Sequence, residues 1–324
     1  MRAFALALVL AAVFAAPAAA YAPVDRPGPP LDVPSADLQH SLSCSSNLAT
    51  DAREPVLLVA GTTLTPADNY SWNYEPALDK LRWPYCAVTL PGHEMADVQV
   101  AGEYIVNALR TMHASTGRKV EYVGYSQGGM VGRWALRFWP DTRAMVDDYV
   151  GIDPSNHGTL DANVLCALGC APSIWQQRRP SSLLAALNSD QETFPGIDYT
   201  VIYSHTDEVV VPNFGPLASS ELSGGGGAIA NLAVQQVCPL DVSEHLAMGT
   251  FDSVGYALAL DAITHPGVAQ PSRVSRSVCL RPFMPGVNPL ALGPNLVHLG
   301  AVVAQQLATY PHVGREPPLA PYVY

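Results

Sequence analysis

The residues whose types and spacing most directly imply chemistry are Gly124-Tyr125-Ser126-Gln127-Gly128. Glycine stands two positions away on each side of a serine, which relieves crowding at a sharp turn and lets the hydroxyl project from it. Such a turn needs a strand before it and a helix after it. Residues 119–123 read as a short strand, and residues 128–138 read as a helix stopped by Pro140. Ser126 is therefore the expected nucleophile, with the helix N-terminus beneath it favouring the negative charge that develops during attack.

A serine hydroxyl is a weak nucleophile until a base takes its proton, and that base needs an orienting carboxylate. In a strand–turn–helix setting the chain order is serine, acid, histidine. Asp207 lies just past a candidate strand at 199–203, where loops beyond strand C-termini build such sites. Glu208 and Asp153 compete with it. Glu208 would face the other way in an extended segment, and Asp153 comes too early relative to the later acid loop. Of the histidines after Asp207, His245 follows a candidate strand at 232–237 in a short polar loop and is the expected base. His265 precedes a proline, His298 lies within a helical period and His312 is near the tail. Two donors are needed for an oxyanion. The backbone N–H of Gln127 should supply one, and Thr62, in the turn after the first strand, the other through its N–H and hydroxyl.

These residues need a sheet to position them. Residues 55–60 form an unbroken apolar run that suits a strand buried on both faces. A second run, 85–90, is followed by Val98, Ala101, Tyr104, Ile105, Ala108, Leu109 and Met112, the apolar face of a helix over about 97–113. Further strands are expected at 149–153, with helices at 182–187, 252–263 and 295–309. Strand and helix alternate throughout, which predicts an α/β fold: a mostly parallel sheet with helices on both faces. No repeat or linker divides the chain, and the Gly-rich stretch 224–227 reads as a loop. Residues 21–324 are expected to form a single catalytic domain with short extended tails.

Composition narrows the function classes. The chain has 324 residues, of which 48% are hydrophobic and 14% charged, so a disordered polymer is excluded. The net charge of −11, with no basic patch, argues against a nucleic-acid partner. Residues 1–20 read as a signal peptide: Arg2, an apolar run from Ala3 to Ala16, and a small-residue cleavage site at Ala18-Ala19-Ala20. Export to an oxidising compartment makes the six cysteines legible as three disulfides, although six allow 15 pairings. Zinc is disfavoured, since no CxxC pair or His-x-x-x-His helix accompanies them. Cys166 and Cys170 are four apart, close enough in one turn to bridge. Asn69-Tyr70-Ser71 fits an N-glycosylation acceptor.

Longer stretches carry a more specific likeness: Leu57-Leu-Val-Ala-Gly-Thr62, Tyr125-Ser-Gln-Gly-Gly129, Ala171-Pro-Ser-Ile-Trp-Gln-Gln177, Thr206-Asp-Glu-Val-Val210 and Ala233-Val-Gln-Gln-Val-Cys238. From Cys44 to about Pro311 the chain resembles the lipase B family of secreted fungal and bacterial lipases, which have the α/β-hydrolase fold. The resemblance implies Ser126, Asp207 and His245 as the triad, Thr62 with Gln127 as the oxyanion hole, and disulfides Cys44–Cys86 and Cys238–Cys279. Cys166 and Cys170 are additions to the family pattern, and the family's C-terminal disulfide has no counterpart here. Gly124-Tyr125 replaces the family's Thr-Trp before the serine. Leu64 and Asn69 stand where the family has a threonine and a serine beside the alcohol-binding pocket. Tyr125, Ile174, Val209 and Val210, within the shared stretches, complete the expected substrate-binding set.

The expected activity is ester hydrolysis through an acyl-enzyme, with a triacylglycerol lipase as the favoured reading and no metal or cofactor required. A short-chain esterase, polyesterase or amidase with the same triad is the rival within enzymes. A binding protein on an inactive hydrolase fold is the rival outside them. A monomer that meets lipid ester, transiently at an interface, is the expected mode of action. The segment 160–171, rich in apolar residues, is the expected cover beside the pocket; packing onto the core is its plainer alternative.

Overall fold

The computed structural model describes residues 20–324, so the expected signal peptide falls outside the described residues except for Ala20. Seven strands form one sheet: β1 (Leu42–Cys44), β2 (Val56–Val59), β3 (Tyr85–Val88), β4 (Val120–Tyr125), β5 (Val146–Ile152), β6 (Asp198–Tyr203) and β7 (Ala228–Ala233). Their order is β1-β3-β2-β4-β5-β6-β7, and β1 alone runs antiparallel to its neighbour. The helices are α1 (Ser35–His40), α2 (Pro66–Asn69), α3 (Tyr74–Leu81), α4 (Val98–Thr116), α5 (Gln127–Phe138) and α6 (Leu160–Leu165). After them come α7 (Pro172–Gln176), α8 (Ser182–Leu187), α9 (His245–Thr250), α10 (Ser253–Thr264) and α11 (Pro289–Thr309).

The central strands β2, β4, β5 and β6 are buried on both faces because helices cover both, while the edge strands β1 and β7 are partly exposed. Leu57 and Val59 of β2 join a cluster with residues of α4 and α5, while Val56 and Leu58 join the opposite cluster with residues of α3 and α10. This alternation is the period-two pattern of a strand with two apolar sides. The expected mostly parallel α/β fold is the observed one.

Several boundaries differ from the sequence reading by up to three residues, as in β5, which starts at Val146 rather than at 149, and two differ by more. The last strand is 228–233 rather than 232–237, and Val234–Gln236 is a 3-10 turn. Its valines have strand propensity, but pairing with β6 runs from Asp198↔Ala228 to Tyr203↔Ala233, so the neighbour sets the strand's extent. The last helix begins at Pro289, six residues early, with Asn288 capping it and Pro294 accommodated inside. The short β1 had no sequence signal of its own. It exists through pairing with β3 and through the disulfide that joins the register partners Cys44 and Cys86. The other disulfides are Cys166–Cys170 and Cys238–Cys279, and no cysteine is free.

Candidate active site

Ser126 sits between β4 and α5 with φ 54° and ψ −122°, a backbone conformation that L-residues rarely adopt. The fold holds it there. Its N–H donates to the Ile152 carbonyl at the end of β5 (2.8 Å), and its own carbonyl accepts from Gly129 N–H (3.0 Å). The flanking glycines are required by close backbone approach. A Cβ at Gly124 would strike the carbonyl of Gly128, and one at Gly128 would strike the carbonyls of Val59 and Ala60. Tyr122 and Tyr149 hydroxyls donate to the carbonyls of Gly128 (2.5 Å) and Gly129 (2.7 Å), fixing the first turn of α5.

His245 opens α9, and its Nε2 lies 3.0 Å from Ser126 Oγ. Its Nδ1 lies 2.9 Å from Asp207 Oδ2. All three side chains are buried. Asp207 occupies the loop after β6, where its Oδ1 accepts from the N–H groups of Val209 and Val210, each at 2.8 Å, and its Oδ2 also from Asn213 Nδ2 (3.3 Å). Four donors thus surround one carboxylate. The backbone of His245 is tied as firmly: its N–H donates to Glu208 Oε2 (3.1 Å), and its carbonyl accepts from the Tyr125 hydroxyl (3.0 Å). Glu208, the rival acid in sequence, therefore holds the histidine's main chain rather than its ring.

Asp153, the other rival, lies beside Asp207. It is fully buried with φ 41°, and its Oδ1 accepts from Ser204 N–H (2.9 Å) and Asn213 Nδ2 (3.3 Å). Its Oδ2 has no partner. Burial, and then the neighbouring charge of Asp207, push the Asp153 carboxyl well above its ordinary range. Asp153, Asp207 and His245 offer ligand atoms within 4.8 Å of one another, as a metal site would. Both imidazole nitrogens are already engaged, however, by Ser126 and by Asp207.

Gln127 is the first residue of α5, so its backbone N–H has no intrahelical acceptor and remains to meet an anion. Its side chain is locked from two sides: Nε2 donates to the Glu94 carbonyl (2.8 Å), and Oε1 accepts from Gln177 Nε2 (2.6 Å) and from the Thr62 hydroxyl (3.1 Å). Gln177 also donates to Thr62 Oγ1 (3.1 Å). Gln177 thus positions both expected oxyanion residues, a role sequence reasoning missed although the residue closes the Ser-Ile-Trp-Gln-Gln stretch. Glu94 was missed as well. It is buried, neither carboxyl oxygen has a partner, and burial raises its carboxyl well above the usual range.

A cavity of about 520 Å³ opens onto Ser126 and His245. Of the expected substrate residues, Leu64, Tyr125, Ile174, Val209 and Val210 line it, as does Thr62. Asn69 does not. It is fully buried, and its Nδ2 donates to the Gly249 carbonyl (2.9 Å), so it braces α2 against α9. The same nitrogen would carry a glycan, and its burial and its bond to Gly249 leave no room for one in this fold, which corrects the acceptor reading. The cavity has a roof that was not foreseen: Val303 and Leu307 of α11 face it, with Leu165 of α6 at its side. α11 is anchored near the mouth by His298 Nε2, 3.0 Å from Asp68 Oδ1. The 160–171 cover does not pack wholly onto the core: Ala162 is buried, whereas Val164 is 74% and Leu168 100% exposed.

Comparison with known proteins agrees with this geometry. A family model described as lipase (class 2) matches residues 103–247. Lipase B of Pseudozyma antarctica is 36% identical over 222 residues, 67% of this chain and 64% of that protein, so the chain spans somewhat less than two thirds of that relative's length. The crystal structure of Aspergillus fumigatus lipase B superposes with a TM-score of 0.83 at 29% identity, covering 91% of this chain and 73% of the other. By sequence, by sheet order and by the turn that carries its serine, the chain belongs to the lipase B-type family of α/β-hydrolases.

Proposed function

We propose that this protein is a serine carboxylic ester hydrolase acting on acylglycerol lipids. The observation that supports this most strongly is the unbroken relay from Asp207 through His245 to Ser126, at 2.9 and 3.0 Å, opening into a largely apolar cavity of about 520 Å³. In this reading Ser126 Oγ attacks the ester carbonyl carbon as His245 Nε2 takes its proton. The carbonyl oxygen becomes an oxyanion that meets the Gln127 N–H and Thr62. Collapse breaks the ester C–O bond, and His245 returns the proton to the departing alcohol. Water, deprotonated by the same imidazole, then attacks the acyl-enzyme and releases the acid and Ser126. Asp207 orients the ring and balances the charge the imidazole gains.

The proposal extends to setting. Three disulfides favour an oxidising compartment, and we read residues 1–20 as the signal that delivers the protein there. No helix among the described residues is long and apolar enough to cross a membrane. Residues 21–324 then act as one catalytic domain, as a monomer. Val164, Leu168, Leu290 and Val297, exposed on α6, α11 and the turn after α6, suit transient contact with a lipid surface. The test is fluorophosphonate labelling of the folded protein with mapping of the modified residue, followed by hydrolysis rates across nitrophenyl esters of increasing chain length. Label on Ser126 and a preference for medium or long acyl chains are expected. An unlabelled folded protein would end the enzyme reading, and a preference for acetate would end the lipid one.

A further inference from the structure

At the N-terminal edge of the sheet, remote from Ser126, four carboxylates meet. Glu54 lies just before β2, Glu121 is the second residue of β4, and Asp147 and Asp148 are the second and third of β5. The backbone register brings them together. β4 and β5 pair at Val120↔Val146 and then at Tyr122↔Tyr149, so two residues of β5, Asp147 and Asp148, oppose the single Glu121. Such a bulge re-aims side chains, and here it turns two acids toward a third. Oxygens of Glu54, Glu121 and Asp147 lie within 4.8 Å of one another.

Asp148 supplies the independent observation. It is 5% exposed, its N–H donates to Glu121 Oε2 (3.2 Å), and its Oδ1 has no hydrogen-bond partner. A buried carboxylate oxygen facing other carboxylates without a donor calls for a cation. The nearby basic residues do not fill the role. Lys119 Nζ is shared between Asp147 (2.7 Å) and the Gly196 carbonyl (3.2 Å), while Arg53 and Arg118, on the wall of the same groove, turn to Asp51 (2.7 Å) and to the Leu48 carbonyl (2.8 Å). Access is open: Glu54 and Glu121 line a surface groove with Trp83 and with Ile263 and Thr264 at the C-terminal end of α10. That helix end adds negative potential.

We propose that Glu54, Glu121, Asp147 and Asp148 form a binding site for a divalent calcium ion that clamps the starts of β2, β4 and β5. The donor set is all oxygen, which selects a hard cation. Oxygens of three of these acids already lie within 4.8 Å of one another, inside the about 4.6–5.2 Å that separates donors on opposite sides of calcium. Calcium's flexible coordination also suits carboxylates from separate segments better than the near-ideal octahedron magnesium demands. The ion serves the fold and not the hydrolysis, because the triad sits at the other ends of the same strands.

Trp83 provides the probe. Its indole N–H donates to the Glu54 carbonyl (2.9 Å), so a lanthanide bound here should be sensitised by tryptophan excitation. The full-length protein, stripped with chelator, is titrated with terbium and then with calcium, and calcium binding is measured by calorimetry. One calcium per chain, a rise in Tm, and terbium emission displaced by calcium are expected. Trp83→Phe should lose the emission yet keep calcium binding. Glu121→Gln should weaken binding by about tenfold or more, since affinity follows the number of charged ligands. Asp147→Asn, at a half-exposed position that tolerates change, should do likewise if Glu121→Gln fails to fold. No stoichiometric calcium binding to the stripped wild type would overturn the site, as would unchanged affinity in both folded carboxylate variants. Loss of the site would leave the Ser126 reading intact, since ester hydrolysis is measured separately.

Discussion

Carboxylates are buried at both ends of this sheet, and the two ends treat them differently. At the C-terminal ends, Asp207 receives two backbone N–H groups, an amide and an imidazole, so its charge is matched by donors on every side. At the N-terminal ends, Glu121 and Asp148 lie together, and burial raises both carboxyls above their ordinary range, helped by the charge of Asp148 at Glu121 and by those of Asp147, Asp198 and Glu54 at Asp148. Asp153 shows the contrast within a single site: it lies beside Asp207, yet lacks a donor for one oxygen and is pushed toward the neutral acid. Equal burial therefore comes with unequal surroundings: the backbone brings donors to Asp207 and leaves an oxygen of Asp153 and of Asp148 without one.

The sharpest way to break this contrast is to remove one partner from each end. Ser126→Ala and His245→Ala should each lower kcat by about 10⁶-fold, with the double variant little worse, because the relay acts as a unit. Asp207→Asn should cost roughly 10⁴-fold through a misoriented imidazole. Glu121→Gln should leave kcat near that of the wild type. Additive losses in the first pair, or a catalytic defect in Glu121→Gln, would dissolve the division between the two ends.

A second, smaller effect probes the donors themselves. Thr62→Val removes the hydroxyl but not the backbone N–H, and kcat should fall by about 10²–10³ with KM little changed. Gln177→Leu touches no substrate oxygen but releases both Thr62 and Gln127. Loosening the two donors by about 1 kcal/mol in all should lower kcat roughly fivefold. If kcat is unchanged in Thr62→Val, the hydroxyl only caps its turn.

The raised carboxyls predict a pH slope. A group whose folded pKa lies above its unfolded value stabilises fully below the unfolded value, and that stability is lost as pH rises through the folded one. Glu94 and Asp153 are both raised, and burial brings Asp252 to about 6. Tm should therefore decline from pH 5 to pH 9, which melting curves across that range would check. Asp153→Asn keeps an acceptor for Ser204 and turns the unpartnered oxygen into a donor. It should flatten part of the decline and keep near wild-type activity at pH 7. A variant as inactive as Asp207→Asn would mean that Asp153 needs its charge.

The smallest effect concerns the cover. The Cys166–Cys170 bridge, between cysteines four positions apart, closes a small loop beside the cavity, which should limit how far the cover opens. Activity should then rise smoothly as ester concentration passes its solubility limit; a sharp jump there would argue for a freely opening cover.

Much of the site was legible because its signals are local or ordered along the chain. A serine between spaced glycines, an acid after a strand and a histidine before a helix each depend on neighbours in sequence. Asn69 misled because its motif is local while its burial comes from Gly249, 180 positions away. The 232–237 strand misled because valines favour strands anywhere, whereas extent is set by the partner strand. The roof from α11 and the support from Gln177 and Glu94 had no signal of comparable strength, since each acts on a residue remote in the chain.

The sequence by itself determined the alternation of buried strands and helices, the strained serine turn and the even cysteine count. The first two follow from apolar period and glycine sterics, which are properties of short segments, and the third is read directly from the chain. Only the tertiary structure decided which buried acids lack donors, which asparagine is sealed, what covers the cavity, and that acids from β4, β5 and the segment before β2 converge at the far edge. Those depend on which segments lie side by side, and strand register and helix docking, summed over contacts distant in sequence, set that.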